Sequence, residues 1–215
     1  MDHAESKMFW DKSWGTFDPA RIAAYAESLD PGRNVIADLL ESRGAVRICD
    51  AGCGCGVHSL NLARRGFSVS GFDVAESAVL LAKKLLLKNG FSAEGFKQAS
   101  ILSTGYADSC FDAVVARDVL DHIPIADAAS AVAELMRIVR PGGCVLLTLD
   151  ASDDEYEAEP HKVTEDGDYV FTSGKWGGMV FHPYSPEEVR KLTAALNSQL
   201  LEKENGFIVL IEKPV

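Results

Sequence analysis

Val46-Arg47-Ile48-Cys49-Asp50-Ala51-Gly52-Cys53-Gly54-Cys55-Gly56 is the stretch from which the rest of the chain is read. Val46 to Cys49 is a short apolar run with one charge, the pattern of a strand buried on both faces. Asp50 ends it, and Gly52, Gly54 and Gly56 permit a tight turn at positive φ and the close approach of a ligand to the backbone. Val57, Leu60 and Ala63 follow at helical spacing, with Gly66 as a stop. Strand, glycine turn and helix form the front half of a nucleotide-type binding unit.

Working outward, the same alternation repeats. Phe67 to Asp73 is an alternating strand that ends in an acid, and Ala75 to Asn89 is a helix with Ala78, Leu81, Ala82, Leu85 and Leu86 on one face. Gly95 to Ser100 is a weak third strand, Phe111 to Ala116 a stronger fourth, and Ile125 to Arg140 a helix ended by Pro141-Gly142-Gly143. Cys144 to Leu149 is the fifth strand. Strands alternating with helices predict a parallel sheet covered on both faces, with right-handed crossovers. One edge then collects the loops after Asp50, Asp73, Ser100, Arg117 and Asp150.

Upstream, Asp18-Pro19 and Asp30-Pro31 each open a helix, and Phe9 to Trp14 is an aromatic entry without a regular period. Downstream, Ala151 to Asp168 is acidic and reads as a loop, while Tyr169 to Thr172 and Gly178 to Phe181 read as a β-hairpin. Ser185-Pro186-Glu187-Glu188 is a capping box that starts a helix. Gln199 to Lys203 and Phe207 to Glu212, joined at Asn205-Gly206, make a closing antiparallel pair. The expected organisation is one domain over residues 1–215. It has a helical cap at 1–44, a binding core at 45–150, an acidic loop and hairpin lid at 151–184, and a closing helix and strands at 185–215.

Composition narrows the function. A net charge of −11 without a basic run disfavours nucleic acid as partner. The polar start, Met1 to Lys7, is not that of a signal peptide, and the apolar runs are too short to span a membrane. Five cysteines without an export signal suit reduced thiols in a cytoplasmic protein. Cys53-x-Cys55 has no second Cys/His pair at zinc-like spacing, so no metal centre is expected.

The chemistry of the edge follows from two acids. Asp73, at the end of the second strand, is placed to accept from both hydroxyls of a ribose. Asp50, directly before the glycines, repels pyrophosphate and suits a cationic amine. The position where a dinucleotide site carries its third glycine is Val57. A ligand with a ribose, a positive charge and no phosphate is expected, features that point to S-adenosylmethionine.

Asp50 to Gly56 resembles the first motif of class I S-adenosylmethionine-dependent methyltransferases of the small-molecule type. The likeness continues through Gly71-Phe72-Asp73-Val74, Phe111 to Leu120, and Leu135 to Gly143. It implies a Rossmann-like α/β three-layer sandwich: a mostly parallel seven-stranded sheet, an antiparallel closing strand, and the hairpin inserted after the fifth strand. It also implies roles. Asp50 would hold the methionine amino group, Ala51, Gly52, Cys53 and Gly54 would line its chain, and Asp73 would bind the ribose. Val74, Ser100 and Ile101 would lie at the adenine, and Arg117 at the methionine end.

Methyl transfer to a small-molecule acceptor would release S-adenosylhomocysteine. His122 and His182 are candidate bases. Trp10, Trp14, Trp176, Phe181 and Tyr184 are candidates for the walls of the acceptor pocket, with Met179 beside them. The alternatives are a non-catalytic module or partner subunit that binds the same cofactor and, against the evidence of Val57 and Asp50, a nicotinamide-dependent oxidoreductase. Oligomeric state is left open.

Overall fold

The computed structural model describes residues 3–152 and 154–215; positions 1, 2 and 153, which fall in the cap and acidic-loop segments delimited above, lie outside the described residues. In chain order the elements are α1 (His3–Gly15), α2 (Pro19–Ser28), α3 (Val35–Ser42), β1 (Arg47–Ala51), α4 (Val57–Arg64), β2 (Ser68–Asp73), α5 (Glu76–Lys88), β3 (Phe96–Gln98), β4 (Phe111–Arg117), α6 (Ile125–Ile138) and β5 (Val139–Asp150). Then come α7 (Asp154–Glu157), β6 (His161–Val163), β7 (Tyr169–Phe171), β8 (Val180–Phe181), α8 (Pro186–Thr193), β9 (Asn197–Lys203) and β10 (Gly206–Glu212).

Seven strands form one sheet in the order β3-β2-β1-β4-β5-β10-β9. β1 to β5 are parallel, and β10 runs antiparallel to both β5 and β9. Alternation along each strand divides the core. Cys49, Val114, Ala116, Val145 and Leu147 pack with α6 and α8 through Val132, Leu135 and Val189. Ile48, Ala113, Val115 and Leu146 face the other way, onto Ala37 and Leu40 of α3 and Leu62 of α4. Both faces are therefore dry, as the continuous apolar runs require.

Asp112 pins the start of this sheet. Its carboxylate accepts from the backbone N–H of Val46 (3.0 Å) and Arg47 (2.8 Å), and from the Arg47 and Arg140 guanidinium groups (3.1 and 2.8 Å). Burial alone would raise this carboxyl, but the Arg47 amide and side chain, Arg140 and the Val46 amide together hold it well below the usual range. Asp112→Ala should cost ~2–4 kcal/mol at neutral pH, since bonds to charged groups are worth ~1.5–3 kcal/mol each and the arginines are partly solvated. A carboxyl depressed in the folded state contributes stability above its unfolded pKa and loses it as pH falls through the folded value. The gap between wild type and variant in urea unfolding should therefore be constant above about pH 5 and shrink below about pH 4.

Asp30-Pro31 opens only a 3₁₀ turn, Pro31–Arg33, and α3 starts after it on the Asn34 cap. Three further elements differ from the sequence reading. The aromatic entry is not irregular but a helix, α1, whose aromatic residues serve separate neighbours and so show no single period. Trp10 meets His122 edge-on at 4.9 Å, and Phe9 packs beside Trp10 at 5.0 Å. Trp14 lies against Gly54. The helix is anchored at the start of α5, where the Ser77 N–H donates to the Asp11 carboxylate (2.9 Å) and the Ser77 hydroxyl to the Asp11 carbonyl (2.7 Å). The acidic loop contains α7 and β6, so the expected hairpin β7–β8 gains a third strand, in the order β6-β7-β8. Finally α6 ends at Ile138 rather than Arg140, and β5 begins at Val139, with the Lys213 ammonium donating to the carbonyls of Met136 (2.7 Å) and Val139 (2.6 Å) at the junction.

Candidate active site

At the carboxyl ends of β1, β2 and β4, the glycine turn, Asp73 and Arg117 open onto two adjoining cavities under α1. The first, of about 360 Å³, is lined by Gly52, Phe72, Asp73, Val74, Ser100, Ile101, Val119 and Val180. The second, of about 760 Å³, is lined by Gly52, Cys53, Gly54, His58, Arg117 and residues of α1 and α2. Trp10, Trp14, Asp118 and His122 border both.

The turn is built by exclusion. Gly52 (φ +67) has no room for a side chain, because a Cβ would stand 2.5 Å from Val119. At Gly54 (φ +50) it would stand 2.8 Å from the Trp14 ring, and at Gly56 (φ +80) 2.7 Å from Ala82. The first two glycines thus bring backbone against the cavities, whereas the third lets α4 start against α5.

Asp73 occupies the end of β2, where Oδ2 accepts from the Gly54 N–H and Oδ1 from the Ala75 N–H, both at 2.9 Å. Burial raises its carboxyl, and the amides of Ala75, Gly54 and Val74 partly offset the rise. Each oxygen retains a further lone pair, so the group can take two adjacent hydroxyls. That fits a ribose diol at the wall of the first cavity. Apolar Val74 and Ile101 beside it suit a purine face.

Asp50 lies deeper than expected. It is buried and accepts from the Ser59 hydroxyl, and neither it nor Ala51 borders either of these two cavities. Burial pushes its carboxyl up to about 6, with Ser59 and Arg117 pulling it down and Asp73 adding to the rise. The geometry therefore fits electrostatic attraction for an ammonium group near the turn better than a direct wall contact. Arg117, whose buried Nε has no hydrogen-bond partner among the described residues, does border the second cavity.

The two histidines part company. His122 borders both cavities, with Nδ1 3.4 Å from the Val180 carbonyl, and burial lowers it to about 4 despite that contact and Asp118. It is neutral at pH 7. His182 borders neither cavity; its Nδ1 is 2.9 Å from Asp168, which also accepts from the Ile125 N–H. That pair fastens the inserted strands to the start of α6.

The aromatic lid is likewise divided. Trp10 and Trp14 border the cavities, but Trp176, Phe181 and Tyr184 do not. Phe181 packs with Phe171, Met179 and Trp176 inside the insertion, and Tyr184 joins the main core near Val189. The reason is strand alternation: Val180 borders the first cavity, so its neighbour Phe181 points away.

The sequence reading passed over four acids and bases. His58, on the first turn of α4, borders the second cavity and is lowered to about 4 by burial, with Arg117 adding to the effect. Asp118, Asp121 and Asp150 meet at the carboxyl ends of β4 and β5, where one oxygen of each lies within 4.8 Å of the others. Their position directly after two strands of the binding edge was the available signal.

A family model described as a methyltransferase domain matches residues 48–143. A ubiquinone biosynthesis O-methyltransferase of Hahella chejuensis is 31% identical over 146 residues, an alignment that covers 66% of this chain and 59% of that protein. The chain spans less than two thirds of the length of the first such curated relatives. Among solved structures, an S-adenosylmethionine-dependent methyltransferase of Methanosarcina mazei superposes with a TM-score of 0.64 at 23% identity, covering 79% of this chain and 92% of that one. Magnesium protoporphyrin IX methyltransferase of Synechocystis PCC 6803, solved with bound S-adenosylmethionine, gives 0.59 at 18% identity, covering 89% and 79%.

Proposed function

We propose that the chain is a class I S-adenosylmethionine-dependent methyltransferase and transfers a methyl group from S-adenosylmethionine to a small-molecule acceptor by in-line displacement, releasing S-adenosylhomocysteine. The observation that carries this reading is the buried Asp73 carboxylate, braced by two backbone amides at the wall of the first cavity. When bound, the sulfonium supplies an activated methyl group and asks for no covalent help.

The chain's own residues bind, orient and exclude water. Asp73 accepts from the ribose hydroxyls, Val74, Ser100 and Ile101 flank the adenine, and the backbone of Gly52 to Gly54 borders the methionine chain. Asp50 attracts the amino group through the turn, and Arg117 faces the carboxylate end. Trp10 and Trp14 cover the reacting centre, where aromatic faces favour a cation. Holding donor and acceptor in line can supply ~7–11 kcal/mol of the barrier. His122, neutral and weakly basic, is suited to orienting an acceptor hydroxyl by accepting its hydrogen bond. The curated relatives are named as O-methyltransferases, which puts hydroxyl-bearing acceptors first.

The net charge of −11 favours a small acceptor over nucleic acid. No helix among the described residues is long and apolar enough to cross a membrane. A cytoplasmic setting, with the five cysteines as free thiols, completes the proposal.

Calorimetry with S-adenosylhomocysteine should show one equivalent bound per chain, and a labelled methyl group should pass to at least one hydroxyl-bearing acceptor in a broad panel. Folded protein that binds no S-adenosylhomocysteine would refute the reading. Binding without transfer to any acceptor would reduce it to a cofactor-binding module.

A further inference from the structure

We propose that His182 is a positioning residue: acting through β8, it holds His122 in the tautomer that carries its proton on Nδ1 and leaves Nε2 bare for the cavities. The use of that bare nitrogen, to accept from an acceptor hydroxyl, rests on the methyl-transfer reading. The tautomer itself does not.

His122 sits on the 3₁₀ turn Leu120–His122 that follows β4. Its Nδ1 lies 3.4 Å from the Val180 carbonyl. A carbonyl oxygen only accepts, so Nδ1 is the donor, and in the neutral ring Nε2 is then the acceptor. Nε2 has no hydrogen-bond partner among the described residues, and the ring borders both cavities. The group that orients His122 is therefore a main-chain carbonyl of the inserted strands, and its direction depends on where β8 is held.

β8 is too short to fix that carbonyl by itself. It has two residues, Val180 and Phe181, and pairs with β7 through Tyr169↔Phe181 and Val170↔Val180. The next residue supplies the anchor. The His182 N–H donates to the Asp121 carbonyl (2.7 Å), so Val180 and His182 grip the Leu120–His122 turn at two points. The His182 ring is buried, with Nδ1 2.9 Å from Asp168 and Nε2 3.4 Å from Glu188. Each acid is tied in turn to the start of a helix. Asp168 accepts from the Ile125 N–H (3.0 Å) at α6, and Glu188 accepts from the Ser185 N–H (2.8 Å) and hydroxyl (2.7 Å) at α8. The imidazole thus transmits the placement of two core helices to the carbonyl two residues upstream. Asp168 is itself buried, so loss of its partner leaves a costly unpaired oxygen rather than a slack contact.

The test is a proton–nitrogen correlation spectrum of the histidine rings in ¹⁵N-labelled, cofactor-free protein at neutral pH, which tells bare from protonated ring nitrogens. The His122 signals are assigned by their loss in His122→Gln. Wild-type His122 should show a protonated Nδ1 and a bare Nε2. His182→Leu should turn it into a mixture of both tautomers. His182→Asn, whose amide N–H replaces Nδ1–H toward Asp168, should restore the wild-type pattern. Asp168→Ala removes the same tie from the other side and should give the same mixture, which decides the matter where the leucine variant does not fold. With a hydroxyl-bearing acceptor that wild type methylates, His182→Leu should lower kcat by ~10–100-fold and leave the KM for S-adenosylmethionine within about twofold, as expected for a displaced group that acts in the transition state. Wild-type His122 protonated on Nε2 would overturn the proposal. So would folded His182→Leu or Asp168→Ala whose only change is a lower melting temperature, with the His122 signals unmoved, for that is a merely structural fastener. If no acceptor is methylated at all, the spectra still decide the tautomer.

Discussion

Asp73→Ala should weaken S-adenosylhomocysteine binding by ~100-fold or more. Two hydrogen bonds from ribose hydroxyls to a carboxylate are lost, each worth ~1.5–3 kcal/mol, and every 1.4 kcal/mol is a factor of ten. The same substitution removes the acceptors for the Gly54 and Ala75 amides, so the turn itself loosens. The two effects are separable. Asp73→Asn retains one carbonyl acceptor and most of the shape, but turns an amide N–H toward a donor on the other side. It should bind between wild type and the alanine variant. Calorimetry on protein shown by circular dichroism to be folded is the measurement. A change under fivefold in both variants would mean that the ribose lies elsewhere.

Gly56→Ala should lower the melting temperature by roughly 5–15 °C, chiefly through packing. The residue sits at φ +80, where an L side chain carries ~1–2 kcal/mol of strain. In addition, its Cβ would lie 2.7 Å from the Ala82 Cβ and 2.8 Å from the Ala82 Cα. Backbone does not yield as a flexible side chain does, so α4 and α5 must part, at ~1–3 kcal/mol. For a chain of this size each kcal/mol moves the midpoint by ~2–4 °C. Gly66→Ala is the control, since Gly66 has φ +92 and nothing within 4 Å of its added Cβ. It reports backbone strain alone, and the two variants should differ by the packing cost. Equal melting temperatures for both would show that the α4–α5 contact is slack. Neither glycine need touch a ligand for this result, which marks Gly56 as an architectural member of a motif otherwise concerned with binding.

That division within one motif explains much of what could be read without coordinates. Asp50 to Gly56 and Asp73 are legible because their meaning is local: a strand must end, a turn must reach positive φ, and an acid must follow β2. Apolar runs likewise located the central strands β1, β4 and β5, since a sheet covered on both faces leaves such runs, whereas β9 and β10 were marked by the Asn205-Gly206 turn between them. The aromatic residues were harder. Phe181 is as apolar as Val180 beside it, and only the register of β8 against β7 shows that Val180 meets the cavity while Phe181 packs inward. Trp176 and Tyr184 were misplaced for the same reason: composition reveals that a ring will be buried, but not against what.

α1 makes the point in the opposite direction. Its sequence lacks a single apolar face, and it is a helix because the Asp11–Ser77 contacts, Gly54 and His122 each hold a different side of it. Tertiary contacts override weak local preference here.

From the order of residues alone come the α/β alternation, the edge proposed to bind the cofactor, and the preference for a ribosyl cation over a phosphate. These follow from periodicities of two and 3.6 residues and from the charge of one or two side chains, all short-range properties. The distances among Asp118, Asp121 and Asp150, the depth of Asp50, and the choice between His122 and His182 for the cavity wall are set across the fold. They depend on how β4, β5 and the inserted strands are brought together by packing, and a linear spacing carries no information about such approaches.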